Sequence, residues 1–154
     1  MRGRGAGANA SALIEEIRGQ DGKPDAVLTW DTTLAKLDRA KAALHNGGDF
    51  AALMAVAHPN ETLRDKAKLC EPKVDKIDTA MWLDATLARV IKRYAAKKEP
   101  LSGPRARFLE HVLRDFRRNG LELDAKGQAR LREINERIIN LSKDGSDKGK
   151  LARR

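Results

Sequence analysis

Apolar residues recur at helical spacing along this chain, and no stretch alternates apolar and polar residues convincingly over the length of a strand. The first strong helix is predicted around "TWDTTLAKLDRAKAALHNGG". Asp31 or Thr32 would cap it, and Trp30, Leu34, Leu37, Lys41 and Leu44 form its stripe. Asn46-Gly47-Gly48 is read as its stop, because Asn and Gly accept the left-handed conformation of a helix end. A short helix from Asp49 would turn Phe50, Leu53, Met54 and Ala57 inward and end at His58-Pro59, since the residue before proline avoids the helical region.

The third pattern is the most regular. Leu63, Ala67, Cys70, Val74, Ile77 and Met81 alternate steps of four and three, a two-per-heptad seam with Pro72 as an internal kink. On that seam Cys70 is expected to be a buried structural thiol. After a break near Asp78–Asp84, Leu83, Leu87, Val90, Ile91 and Tyr94 continue the helical spacing, and "KKEPLSGP" is a loop. Ser102 and Pro104 open the next helix, whose stripe is Phe108, Leu109, Val112, Leu113 and Phe116. Asn119-Gly120 closes it, with Gly120 at positive φ, a position that tolerates Asn better than Val. Leu131, Ile134, Ile138 and Leu141 make a last stripe. The predicted fold is all-α, an antiparallel helical bundle of about five to six helices. Residues 12–142 form the domain, between disordered tails at 1–11 and 143–154.

Composition sharpens this picture. Aromatics make up 4% of the chain, so the core must be built from Leu, Ile, Val and Ala. Thirty-one Lys and Arg against 22 Asp and Glu leave a net charge of +9, which attracts polyanions at low salt but names no partner. One cysteine excludes an intrachain disulfide, and no apolar run is long enough to span a bilayer. The amino end bears arginine and no acid before Glu15, as organelle transit peptides do. Its glycines oppose the amphipathic helix such peptides need, and a cytoplasmic protein with an unstructured tail is expected.

The chemistry hinges on "RFLEHVLRDFRRNGLEL", Arg107 to Leu123. Arginines with interleaved Phe108 and Phe116 would suit a nucleic-acid strand, with phosphates held and bases stacked. The spacing instead puts both phenylalanines on the apolar stripe. Arg117 and Arg118 fall in the last turn, where cations favour the helix dipole, and Glu110 precedes Arg114 by four. This is a helix with a wet face, and nucleic acid is not the expected partner. His45, His58 and His111 contain no pair four apart, so the His-Glu-x-x-His zinc motif is missing. His111 and Asp115 with neighbouring Glu110 do not complete a metal site. The sequence contains neither a nucleophile elbow nor a phosphate-binding or dinucleotide fingerprint. No catalytic, cofactor-binding or metal-ligating residue is assigned.

Three stretches carry a family resemblance. "TWDTTLAKLD" resembles an opening in the amino-terminal region of the thimet oligopeptidase, neurolysin and oligopeptidase A family of zinc metallopeptidases. "HPNETLRDKAKLCEPKVDKID" is similar to the next landmark, and "RFLEHVLRDFRRNGLELDAKGQARLREINERIINLS" is similar to the one after it. The resemblance covers roughly Leu28 to Ser142. The resemblance implies the family's amino-terminal helical domain, one wall of a channel that admits short peptides. Zinc and the catalytic His-Glu-x-x-His would belong to a downstream domain that these residues do not include. The chain would then be inactive alone, monomeric, and in touch with short peptides only through the missing catalytic domain. The sequence departs from the family where Asp144-Gly145-Ser146 interrupts the expected continuation of the last helix. That leaves a truncated product, an incomplete reading frame and a stand-alone remnant all open. A stand-alone helical interaction module and a basic nucleic-acid-binding protein are the competing readings.

Overall fold

A computed structural model describes residues 5–121 together with 123, 124, 126–131, 133, 134, 137 and 138. Among the described residues the chain is all-helical, a bundle of six helices. They are α1 (Ala6–Arg18), α2 (Leu34–Ala57), α3 (Glu61–Lys68), α4 (Glu71–Trp82), α5 (Ala85–Ala96) and α6 (Gly103–Arg118), with a single 3-10 turn at Asp25–Val27. Residues 126–131 are helical as well. The expected tail at 143–154, and Leu141 of the last stripe, lie outside the described residues.

The amino end differs from expectation. Residues 6–11, read as part of a tail, are the first turns of α1. Ala10, Ile14 and Ile17, spaced by four and three, are its buried face. The alanine content favours the helix and offsets Gly7. This helix also explains a second difference. Asn46-Gly47-Gly48 does not end a helix, because α2 runs through it as one piece of 24 residues. A Cβ at Gly47 would come within 2.6 Å of the Ala6 Cβ, and one at Gly48 within 3.6 Å of a Val74 methyl. The two glycines therefore let the start of α1 approach α2 and leave room for α4. Their weak helix propensity, about 1 kcal/mol each relative to alanine, is offset by that packing.

At the other end of α2 the proline rule holds. His58 is extended at φ −70° and ψ 133°, and the Asn60 side chain caps α3 by accepting from the Leu63 N–H at 3.2 Å. The heptad seam, by contrast, belongs to two helices rather than one kinked helix. Leu69 and Cys70 form a break, and Pro72 sits in the first turn of α4, where its missing N–H is no loss. Cys70 is consequently exposed, not buried.

Asp84 begins α5 and accepts from the N–H groups of Thr86 and Leu87, both at 2.9 Å. Its other oxygen lies 3.0 Å from Arg18 Nε at the end of α1. That pair is an ion contact without hydrogen-bond alignment, since Arg18 Nε has no hydrogen-bond acceptor. Along α5, Arg89, Arg93 and Lys97 follow at steps of four and hold the segment between α1 and α2. Arg89 grips Asp21 with two bonds of 3.0 and 2.7 Å, Arg93 pairs with Asp25, and Lys97 donates to the Leu28 carbonyl. These basic side chains are thus engaged inside the molecule. The segment so held buries Leu28 and Thr33, whose hydroxyl donates to the Thr29 carbonyl.

The core lies among α1, α2, α4, α5 and α6, built on Ile17, Leu34, Leu37, Ile91, Tyr94 and Phe116. Tyr94 is its polar exception. The hydroxyl is buried and has no hydrogen-bond partner, and the Glu99 carboxylate nearby does not reach bonding geometry. Burial first, and then that carboxylate, push the phenol up to about 12. Because the folded state favours the neutral phenol, nothing is lost below the ordinary value of 10.0. Between 10 and about 12 the unfolded chain ionises first, and stability falls by on the order of 1.4 kcal/mol per pH unit. Tyr94 is the only tyrosine, so phenolate absorbance reads it directly. The expected result is a late titration in the folded protein, with Tyr94→Phe losing less stability than wild type over that window. An ordinary phenol titration in the folded protein would contradict this.

Candidate functional site

The arginine-rich helix α6 resolves into a packed face and a wet face. Phe116 is fully buried, with its ring edge-to-face against Trp82 at 5.2 Å and 65°. Phe108 is half-buried against Trp30, centroids 6.1 Å apart. Cations already cover these rings from within the molecule. Lys41 Nζ stands 4.8 Å from the Trp82 centroid and 5.6 Å from that of Phe108, and Arg105 lies 5.0 Å from Trp30. The rings are core elements, and base stacking gains no support from them. The expected Glu110–Arg114 pairing is replaced by Arg114 facing Asp115 at 3.7 Å, too long for a hydrogen bond. Arg117 and Arg118 occupy the last turn as expected.

The histidines remain apart. His45 Nε2 is 3.2 Å from Asp49, His58 Nδ1 accepts from the Asn60 N–H at 3.0 Å, and His111 is exposed on α6. Among the described residues no three His, Cys, Asp or Glu side chains come together as a metal would require.

Two grooves flank the junction of α2 with α4. The first, of about 510 Å³, is polar and lined by Asp38, Lys41, His45, Asp49, Asp75 and Asp78. Burial raises the Asp78 carboxyl above its ordinary range, while Lys41 and the Trp82 indole act in the opposite direction. Four aspartates give this groove an acidic balance, against Lys41 and His45.

The second groove, of about 720 Å³, is apolar. Phe50 and Met54 of α2, Leu63 of α3, and Val74 and Ile77 of α4 line it, with Cys70 at the helix break. Gly7 and Gly47 lie at its α1 end, where the same close approach brings the helices together. Phe50 and Leu53, expected inward, are 64% and 63% exposed, and Ala57 is exposed too. Met54 is half-buried. The sequence pattern identified the stripe but not its surroundings, because which helix packs on it depends on tertiary contacts. Pro72 was the available signal for the break at Leu69-Cys70.

The bundle matches no protein-family model, no curated protein and no solved structure. Its functional reading therefore rests on its own residues.

Proposed function

We propose that this chain is the amino-terminal, channel-wall domain of a zinc-dependent oligopeptidase of the thimet oligopeptidase, neurolysin and oligopeptidase A family, working in the cytoplasm on short peptides. One observation carries the reading. Three stretches resemble the family's landmarks in the same order along the chain. "TWDTTLAKLD" leads into α2, "HPNETLRDKAKL" makes the turn into α3, and "RFLEHVLRDFRRNG" is α6 with its stop. In this reading the chain supplies shape, and the zinc and its ligands come from a catalytic domain that follows it. The competing reading of a stand-alone interaction module draws on the open apolar groove. No described helix is long and apolar enough to cross a membrane.

The test has two parts. The purified chain should bind no stoichiometric zinc and should leave a quenched short-peptide substrate intact. Chelator-sensitive cleavage that survives further purification would overturn the assignment of the chemistry to another domain. The genomic sequence beyond the Arg154 codon should encode His-Glu-x-x-His. A following sequence without that motif in any frame would count against the family reading and favour the module.

A further inference from the structure

The apolar groove has a sign as well as a shape. Lys66 of α3 and Lys73 of α4 are the charged side chains that line it, and among the described residues no carboxylate does so. The polar groove on the other side of α2 has the reverse balance, with four aspartates. Apolar exposure also continues past the groove. Leu53 follows Phe50 by three on α2, and Leu69, 64% exposed, precedes Cys70. A single alkyl chain would not cover that spread, whereas the side of a helix would, with anchors at three- and four-residue spacing.

We propose that this groove docks an acidic amphipathic helix from a partner protein. The partner's apolar stripe fills the space between Phe50, Leu63 and Val74, and its carboxylates meet Lys66 and Lys73. Charge also argues against closer occupants. The segments 1–4, with Arg2 and Arg4, and 143–154, with Lys143, Lys148, Lys150, Arg153 and Arg154 against Asp144 and Asp147, have the wrong sign. A second copy brings another net charge of +9. The inference does not depend on the oligopeptidase reading.

Cys70, the only cysteine, is exposed in the groove and reports its occupation through its alkylation rate. The probe is a synthetic amphipathic helix of about 18 residues with a Leu/Phe stripe and Glu on its flanks. It should bind the full chain saturably, slow alkylation of Cys70, and weaken as salt is raised. Lys66→Glu combined with Lys73→Glu should weaken binding by about tenfold or more. Phe50→Asp should abolish it while the thermal midpoint stays near wild type, because that side chain is already in water. Equal binding by the same helix with Lys in place of Glu would overturn the proposal. So would unchanged affinity in the double variant, or no protection of Cys70. Protection by laurate and not by the acidic helix would overturn it too, and would reassign the groove to small anionic amphiphiles.

Discussion

Phe116→Ala is expected to lower the stability of the fold by about 3–5 kcal/mol, a large share of the roughly 5–15 kcal/mol that holds a domain of this kind. The side chain is fully buried, and its ring meets the edge of Trp82, which in turn lies under Lys41. Removal leaves a cavity where α6 meets α4 and withdraws one partner from an aromatic pair. Arg107, exposed on the same helix, is the control, and Arg107→Ala should stay within about 0.5 kcal/mol of wild type. Urea unfolding of the two variants separates a buried aromatic from a nucleic-acid-facing one. If Phe116 served to stack bases, its loss would leave the midpoint nearly unchanged and weaken retention on single-stranded nucleic acid instead.

Gly120→Val should destabilise by about 2–5 kcal/mol, from two sources that add. Gly120 has φ +80°, so a side chain there costs about 1–2 kcal/mol for the left-handed backbone. A Cβ would also come within 2.5 Å of a Leu131 methyl and 3.0 Å of one on Leu123, and overpacking of this kind costs about 1–3 kcal/mol. The turn itself is well bonded. The Gly120 N–H donates to the Arg117 carbonyl at 3.0 Å, and the Leu121 N–H reaches back to Phe116 at 3.3 Å, the paired arrangement that ends many helices on glycine. The sequence holds that this position tolerates Asn better than Val, and the structure adds the contact of any Cβ with the Leu131 side chain. Asn relieves the backbone but still carries the Cβ that meets Leu131. Gly120→Asn should therefore fall between wild type and Val in urea melts. Equal stability of all three would mean that the following helical residues do not pack on the turn.

Local chemistry alone determined much of this fold. The helical class, the pre-proline end at His58, a break near Asp78–Asp84, a loop within 97–104 and the Asn119-Gly120 stop were all legible. Each depends on a residue's own backbone preference or on a spacing within one helix. The inward stripes of α5 and α6 were legible too, since Leu87, Ile91, Val112 and Phe116 repeat at the helical period. What local chemistry could not settle was which helix covers which face. Asn46-Gly47-Gly48 has the composition of a stop, yet it serves as a contact surface because Ala6 lies against Gly47, an event 41 residues apart in sequence. The same contact converts an apparent tail into α1. Cys70, Phe50 and Leu53 keep the spacing of core residues, yet Cys70 and Phe50 line a groove and Leu53 is exposed beside it. Periodicity records that a face is apolar. Whether another helix lies upon it is decided by tertiary packing, and among the described residues that packing leaves an apolar face edged by Lys66 and Lys73 uncovered.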